Sequence, residues 1–539
     1  MGDTQATDVL IAGAGPVGLA LAIDLGLRSV PCIVVEQQDR VGLNPRAKLT
    51  NVRSKELLRR WGLADELRSA SPLPPDYPAN IVFSTRLNGY TLARFEDAFY
   101  CARARNELYS EPGQWVPQYT LEEVLWRRAV SLPGVGIRFE SRLESIAQDG
   151  DGVLAELENL RSGARSTVRA KYLVGADGAR STVRSLLGIG MQGDGALAPN
   201  LNLVFRAPAL ARLHDKGPAV MYWMVNRELP AYLGPLDREG LWFLIAPRLP
   251  GGADPGSLDA KEVVYRSSGL RFDMELVHVD PWTAHRLIAE RYGAERTFLA
   301  GDACHLHPPS GGHGMNMGIA DAADLGWKLA ATLHGWGGPR LLETYEIERR
   351  PLHQRVIREA VENYELTGDR LARDGIEQPG PEGERIRSEV GEAILKGKLQ
   401  EFRSLGVVLG GCYRDSPAIV PDGTRPPREQ VAVYEPSACP GCLAPHFWMA
   451  DGTSLYDHFG PGFTLLAGPD AAAADIPRLA RAASQRAVPL KVVTVADPKF
   501  PALYQAPLAL ARPDQHIAWR GERAPQDCLD LIDRVRGGP

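Results

Sequence analysis

The chain has little of what marks a membrane-spanning, secreted or nucleic-acid-binding protein. No unbroken apolar stretch in its 539 residues reaches the roughly 18 that a membrane-spanning helix needs. The formal net charge is only −5, which indicates neither a nucleic-acid surface nor an anionic-membrane surface. The 7 cysteines are too scattered for a disulfide framework. We therefore expect a globular protein of the reducing cytoplasm, with no nucleic acid and no membrane as partner.

Targeting segments and repeats are missing as well. The start, MGDTQATD, has no basic region followed by an apolar run, and Ala6 stands where a myristoylation signal needs Ser or Thr. We find no internal repeat and no low-complexity tract. Because 539 residues exceed what one hydrophobic core usually supports, we expect about two to four distinct domains.

The most informative segment is DVLIAGAGPVGLALAIDLGLRSVPCIVVE, residues 8–36. It reads as strand, glycine turn, helix and second strand. Gly13 permits the tight turn, Gly15 lets the backbone approach a pyrophosphate, and Gly18 lets the helix pack closely on the strand. Glu36 closes the unit with a carboxylate that accepts hydrogen bonds from ribose and repels a 2′-phosphate. The segment predicts a site for the ADP half of FAD or NAD.

Two later motifs have the same strand-then-turn form. KYLVGADGARSTVRSLLG, residues 171–188, delivers Asp177 into a turn before a short helical segment. RTFLAGDACHLHPPSGGHGMNMGIADA, residues 296–322, delivers Asp302 into a loop rich in Pro and Gly. A helix that begins near Gly314 would direct its positive N-terminus at an anionic group.

The rest of the chain divides by composition. The runs NIVFSTRL, NLNLVFRA, AVMYWMV and LWFLIAP predict an antiparallel sheet rich in aromatic residues. Apolar residues at three and four spacing predict helices from about 318 to 366, with a kink or break at Pro351. Breaks rich in Pro and Gly fall at residues 71–78, 248–256, 375–383 and 420–427.

Together the three motifs resemble the single-component FAD aromatic hydroxylases, the family of para-hydroxybenzoate hydroxylase. The C-terminal segments LGVVLGGCYRDSPAIVPDG, CPGCLAPHFWMADGTSLYDHFGPGFTLL and PLALARPDQHIAWRG are similar to 3-(3-hydroxyphenyl)propionate, 2-hydroxybiphenyl and polyketide hydroxylases. The resemblance implies an α/β fold in which a Rossmann-like FAD-binding domain is interleaved with an α+β substrate domain. A helical connector and a thioredoxin-like domain follow. The implied boundaries are 1–72, 111–188 and 290–360 for FAD, 73–110 and 189–289 for substrate, 361–428 for the connector and 429–539 for the last domain.

The resemblance also implies roles for the cofactor residues. Asp302 matches a ribityl-binding position, Arg46 and Gln118 match positions near the phosphates and ribityl chain, and Asp177 and Arg180 serve both FAD and a visiting nicotinamide. The flavin ring is expected beside Pro308 and Gly312. The full set of expected cofactor-binding residues is Gly13, Gly15, Gly18, Glu36, Arg46, Gln118, Asp177, Gly178, Arg180, Asp302, Pro308, Gly312, Gly314, Met315 and Asn316.

The implied activity is hydroxylation of a phenolic ring by FAD, O2 and NADPH or NADH, through a flavin C4a-hydroperoxide. The single glycine fingerprint agrees with a nicotinamide nucleotide that binds only transiently. A small catabolic phenol is favoured narrowly over a polyketide, so a polyketide-tailoring hydroxylase stays open. A flavin-dependent dehydrogenase or reductase, or a non-enzymatic flavin scaffold, would share the motifs without oxygen insertion. A homodimer is expected from the resemblance.

Histidines around the third motif invite two interpretations. His305, His307 and His313 have no supporting Cys or carboxylate set, so we expect no metal. His313 is the candidate catalytic residue, because it lies in the loop expected to face the flavin and could hydrogen-bond or deprotonate a phenol. An ordinary loop histidine is an equally good interpretation.

Substrate residues are harder to place, because only about half of the residues on each strand can face the flavin. Any one of these aromatic residues belongs to the core more often than to a substrate site. Arg206 and Trp115 are further residues that could border the substrate. The residues on these strands that could face the substrate are Tyr222, Trp223, Asn226, Tyr232, Trp242 and Phe243, and of these we select Tyr222, Asn226, Tyr232 and Trp242.

The sequence Cys439-Pro440-Gly441-Cys442 resembles a redox motif. Such a motif follows a core strand and opens a helix, whereas this one precedes a stretch of loop. Family members usually carry Arg where this chain has Leu443. We therefore expect these thiols to be non-catalytic.

Overall fold

The structure, a computed structural model, describes residues 4–40, 45–74, 76–247, 249, 258–366 and 368–538. No helix within these ranges is long and apolar enough to cross a membrane. The helices are α1 Pro16–Leu27, α2 Val52–Arg60, α3 Ala64–Ala70, α4 Gln118–Ser131, α5 Thr182–Leu186, α6 Ala260–Ser268, α7 Gly314–Leu333, α8 Thr344–Glu365, α9 Gly368–Leu371, α10 Pro381–Phe402, α11 Leu405–Val408, α12 Asp475–Gln485, α13 Lys499–Tyr504 and α14 Cys528–Val535.

The strands alternate with these helices in the first half of the chain and dominate its middle. They are β1 Thr4–Ala12, β2 Cys32–Val35, β3 Leu49–Thr50, β4 Ile81–Ser84, β5 Thr91–Phe95, β6 Gln114–Trp115, β7 Val135–Arg138, β8 Ser141–Asp149, β9 Gly152–Asn159, β10 Arg165–Gly175, β11 Met191–Arg206, β12 Met221–Met224, β13 Ala231–Pro235, β14 Leu241–Ala246, β15 Glu275–Ala289, β16 Gly293–Ala294, β17 Thr297–Leu299, β18 His305–Leu306, β19 Phe463–Ala467, β20 Leu490–Thr494, β21 Leu508–Ala511 and β22 Ile517–Gly521.

The first sheet has the order β16-β17-β10-β1-β2-β7, with β9 and β8 added beside β10. Strand β1 is parallel to both β10 and β2, and β10 is parallel to β17. Ala12 pairs with Gly175, which pairs with Leu299. The three motif-bearing strands therefore end at the same edge of the sheet, where open α/β sheets bind ligands.

The second sheet has the order β18-β15-β11-β14-β13-β12-β4-β5 and is antiparallel except where β12 runs beside β4. Strands β4 and β5 come from the first of the two predicted substrate segments, and β11 to β15 come from the second. The predicted break at 248–256 lies outside the described residues except for Leu249.

The C-terminal residues form a third sheet of order β20-β19-β21-β22, flanked by α12 and α14. Here β19 is parallel to β20 and antiparallel to β21. The predicted fold class is confirmed in all its layers. Helix α8 runs through Pro351, so of the predicted kink or break the break is wrong, and a kink there stays a prediction.

Candidate active site

The glycine turn after β1 leaves a cradle in front of α1. Gly13 has φ +105°, a conformation that disfavours side chains, and a Cβ on Gly18 would strike the Gly13 carbonyl oxygen. A Cβ on Gly15 would meet nothing within 4 Å. The hydrogen-bond ladder of α1 starts where Leu19 N–H donates to the Gly15 carbonyl at 3.0 Å. The N–H groups ahead of it face the cradle and suit a pyrophosphate.

Glu36 follows β2 and is fixed beside this turn. One carboxylate oxygen accepts the Ala14 N–H at 2.9 Å, and the other accepts the Gln38 N–H at 2.9 Å. Each oxygen keeps a further lone pair for a ribose hydroxyl. The negative charge opposes a 2′-phosphate at the same place.

Gln118 and Arg46 lie in adjoining segments. The Ala47 N–H donates to the Gln118 side-chain oxygen at 3.0 Å, and the Gln118 N–H donates to the Ala47 carbonyl at 2.9 Å. The Gln118 amide nitrogen donates to Glu122 at 2.7 Å. Gln118 thus anchors the loop that presents the exposed Arg46 side chain.

The second motif joins the third through an arginine that the sequence analysis did not select. Asp177 accepts the Val183 N–H at 3.0 Å, while its other carboxylate oxygen is buried without a partner in the described structure. Gly178 has φ +80°, and Arg180 is exposed. Arg184 donates to the carbonyl of Ala303 at 2.9 Å, so the two turns are tied together.

Asp302 projects from a turn held by a buried network. The Gly301 N–H donates to Asp321 at 3.1 Å, and Arg349 donates to the other Asp321 oxygen at 2.8 Å. The Asp302 carboxylate is open to solvent, yet partial desolvation in its recess raises its pKa, against the opposing effect of His305 and Arg46. Asp321 is a supporting residue that sequence reasoning missed, although an acid inside an apolar helical pattern was a visible signal.

The loop before α7 presents backbone groups rather than side chains. The Asn316 side chain is hydrogen-bonded within the protein. Its oxygen accepts the Asn51 N–H at 2.9 Å, and its nitrogen donates to the Leu49 carbonyl at 2.9 Å. The first N–H to bond along the helix is that of Met317, to the His313 carbonyl at 2.8 Å. The backbone N–H groups of residues 314–316 are therefore available to an acceptor such as the pyrimidine edge of a flavin. Gly312 (φ +67°) packs on Leu49, and Pro308 is buried nearby.

These observations fit FAD from end to end. An open glycine cradle, a fixed ribose-binding carboxylate, an unpartnered Asp177 oxygen, an exposed Asp302 and a free helix N-terminus lie along the edge where β1, β10 and β17 end. The assigned contact of each residue with the cofactor stays a prediction.

His313 is only 3% exposed, and burial lowers its pKa to about 4, so it is neutral at pH 7. It lines a cavity of about 60 Å³ together with residues from α2, α7, α8 and the C-terminal part, among them Tyr413 and His516. A catalytic role for His313 therefore stays a prediction, and a structural role is equally compatible with this placement.

The other two histidines of this region have protein partners. His305 lies 3.0 Å from Asp321, and His307 contacts the carbonyl of its neighbour Pro308 at 2.8 Å. Cys304, His305 and Asp321 have ligand atoms close enough together for a metal, but Arg349 already pairs with Asp321.

The substrate sheet turns one face toward β3 and the cofactor loop. Residues paired across antiparallel strands share a face, and Trp223 pairs with Tyr232. The Trp223 and Tyr232 rings stack with their centres 4.6 Å apart, and the centres of the Phe243 and Trp115 rings are 6.4 Å apart. Trp115, on β6, packs against this face of the sheet, and we call Trp115, Trp223, Tyr232 and Phe243 together the inner aromatic face.

Three of the four substrate candidates do not lie on this face. Tyr222 and Trp242 pack in the core on the opposite side of the sheet, and the Tyr222 hydroxyl donates to the Gly217 carbonyl at 2.6 Å. The buried Asn226 side chain accepts the Leu229 N–H at 2.8 Å to shape a turn. Of the four, only Tyr232 lies on the inner aromatic face, and a substrate contact for any of them stays a prediction.

Lys48 is a buried side chain that sequence reasoning missed. Its amine donates to the carbonyls of Pro45 at 2.8 Å and Arg46 at 3.2 Å, and it lies 4.4 Å from the centre of the Phe243 ring. Burial lowers its pKa to about 7. A lysine between apolar residues gave no sign that it would face the aromatic sheet.

The cysteines of the C-terminal part pair differently from the CxxC pattern. Cys442 forms a disulfide with Cys412, and Cys439 is a free, buried thiol. The expectation of non-catalytic thiols stays untested, but one disulfide exists that the scattered spacing did not predict.

A buried charge cluster links the cofactor helices to the C-terminal sheet. Arg512 contacts Glu348 at 2.6 Å, Asp514 at 2.8 Å and Asp324 at 3.2 Å, and Lys328 contacts Asp324 at 2.7 Å. We call these five residues the Arg512 cluster. Its carboxylates could also group around a metal, but the two cations already neutralise most of their charge.

Comparison with known proteins gives this geometry a context. Residues 6–360 match the family model of an FAD-binding domain, and residues 437–539 match that of the aromatic-ring hydroxylase C-terminal domain. The solved structure of the rebeccamycin biosynthetic enzyme RebC with reduced flavin is 39% identical, with a TM-score of 0.91 and 100% of both chains covered.

Two curated relatives extend the comparison. Aklavinone 12-hydroxylase of Streptomyces purpurascens is 34% identical, with 98% of this chain and 98% of its own covered. The 2,4-dichlorophenol 6-monooxygenase of Cupriavidus pinatubonensis is 31% identical, with 99% and 96% covered.

Proposed function

This chain belongs to the family of FAD-dependent aromatic-ring hydroxylases, and from that premise we propose that it hydroxylates an extended, phenolic aromatic substrate with O2 and NADPH or NADH. The single observation that carries the proposal is the inner aromatic face, a group of four aromatic rings, two of them stacked, beside the loop that suits a flavin. FAD, when bound, supplies the electrons of the nicotinamide to O2 and so makes one oxygen atom transferable.

The residues of this chain would then hold the cofactor and orient the substrate. The cradle at Gly15 and the Glu36 carboxylate bind the ADP half, and the exposed Asp302 carboxylate binds hydroxyls of the ribityl chain. The N-terminus of α7 stabilises negative charge at the pyrimidine edge. The inner aromatic face holds a planar ring against the loop and excludes water from it.

Substrate size is the finer part of the proposal. The narrow preference for a small catabolic phenol came from sequence alone. The row of rings on the inner aromatic face, together with the similarity to a rebeccamycin biosynthetic enzyme and to an aklavinone hydroxylase, favours a substrate with several rings. A small phenol is the second candidate, supported by the similarity to a dichlorophenol monooxygenase.

The test measures NAD(P)H oxidation by FAD-loaded protein across one-ring, two-ring and four-ring phenols, with product mass and peroxide followed together. We expect the polycyclic phenols to stimulate oxidation most and to give a product one oxygen atom heavier. Greatest coupling with one-ring phenols would select the catabolic alternative. Stimulated oxidation of substrate without an added oxygen atom would select a dehydrogenase.

A further inference from the structure

The amine of Lys48 is buried and has no anionic partner among the described residues. It uses two N–H groups on backbone carbonyls and directs the remainder of its charge at the ring of Phe243. No carboxylate of the described residues lies within 4 Å of it, and the residue is only 8% exposed. A cation–π contact of this kind contributes far less than the cost of an unpaired buried charge.

The position of Lys48 places this charge between the cofactor loop and the substrate sheet. The next residue, Leu49, accepts a hydrogen bond from the Asn316 side chain at 2.9 Å and packs on Gly312. Phe243, under the amine, belongs to the inner aromatic face. A ring lying against that face would reach Lys48 with a substituent at its edge.

A substituent that carries negative charge would complete the site. A charge-assisted hydrogen bond from an ammonium to an anionic oxygen is stronger than the bonds to neutral carbonyls that Lys48 makes now. The lowered pKa of Lys48 agrees with the lack of a fixed anion, because a neighbouring carboxylate would raise it.

We propose that Lys48 binds an anionic oxygen of the aromatic substrate, a phenolate or a ring carboxylate. The proposal rests on the proposed function only in taking the inner aromatic face as the substrate site. It names the substrate class more closely: a planar aromatic compound that is acidic at one edge. Lys48 remains a binding group, and no proton or other group need be transferred.

The experiment compares three probes of one shape on the FAD-loaded protein: 2-naphthoate, 2-naphthol and 2-methoxynaphthalene. Binding is followed through the absorbance of the bound flavin, without NAD(P)H. We expect Lys48→Met to weaken 2-naphthoate, or ionised 2-naphthol, by about tenfold or more, the equivalent of about 1.4 kcal/mol. Binding of 2-methoxynaphthalene should change by less than about twofold, and Lys48→Arg should restore much of the anion affinity.

The three probes also separate the sources of the anion. A naphtholate absorbance band in the wild type that Lys48→Met abolishes identifies a phenolate, whereas discrimination of 2-naphthoate alone identifies a carboxylate. Lys171→Met, at an exposed lysine paired with Asp8, is the matched control and should leave all three affinities unchanged.

If Lys48→Met weakened the binding of all three probes equally, Lys48 would contribute only packing, and the proposal would be overturned. Unchanged affinities, or no binding of either anionic probe to the wild type at millimolar concentration, would also overturn it. Binding is read without turnover, so a protein that binds anions through Lys48 but inserts no oxygen would contradict the proposed function alone.

Discussion

At the scale of single residues, the positions that backbone geometry dictates were predictable and those that burial dictates were not. Gly13, Gly15 and Gly18 could be recognised from their spacing, because a strand–turn–helix unit has room for no side chain at these positions when it binds a pyrophosphate. Lys48 carries no such signature, and Asp321 has only the weaker signal of an acid inside an apolar helical pattern. Their importance comes from what the folded chain places around them, which a single sequence does not display.

Gly15 gives the sharpest test at this scale. Its Cβ position opens on empty space, so Gly15→Val should fold normally while its side chain fills the cradle. We expect FAD affinity to fall by about tenfold or more, measured by titrating apoprotein with FAD. Gly150→Val is the control, since Gly150 also faces open space but lies in an exposed loop between β8 and β9. Equal FAD affinity in both variants would refute the pyrophosphate cradle.

At the scale of elements, the strands themselves were predictable from the sequence. Which side of each strand faces the cofactor was not. The aromatic runs gave β12 and β14 correctly, because alternating bulky residues favour strands. Both faces of this sheet are buried, so alternation of polarity could not say which face meets the cofactor. Tyr222 and Trp242 pack in the core on one side of the sheet, whereas Trp223 and Tyr232 lie on the other, and the sequence could not separate the two sets.

Buried histidines predict how these elements respond to acid. His446 is 2% exposed, and burial lowers its pKa to about 4, as it does for His313. The unfolded chain takes up protons below about pH 6.5, while the folded protein resists until about pH 4. The contribution of each neutral, buried histidine to the free energy of unfolding is therefore complete above the pKa of the unfolded state, about 6.5, and is lost as the pH falls towards 4.

Each such histidine should cost about 2 kcal/mol of stability between pH 7 and pH 5. The measurement is urea unfolding at both pH values for the wild type and for His446→Gln. The variant should lose about 2 kcal/mol less over this interval than the wild type. An equal loss in both proteins would mean that His446 is not held neutral by burial.

At the scale of the whole molecule, the C-terminal sheet is bound to the cofactor helices by charge as well as by packing. The order of domains followed from the resemblance. The Arg512 cluster could not be predicted, because its members are separated by up to 190 residues and look like ordinary surface charges.

Removal of Arg512 should therefore affect more than the C-terminal part. Arg512→Met leaves three buried carboxylates facing Lys328 alone, and loss of one partner from a buried ion pair typically costs about 3–5 kcal/mol. We expect a lower melting temperature and loss of bound FAD on mild heating. Arg127→Met, which breaks an exposed pair with Glu123, should cost less than about 1 kcal/mol. Similar melting temperatures for the two variants would show that the cluster does not join the domains.

The most direct test of the central claim is the fate of molecular oxygen. FAD-loaded protein is supplied with ¹⁸O₂, NAD(P)H and the phenol that most stimulates NAD(P)H oxidation, and the product is analysed by mass spectrometry. The account predicts a product that carries one ¹⁸O atom on the aromatic ring. An oxidised product without ¹⁸O, or consumption of oxygen that yields only peroxide for every phenol tried, would contradict it.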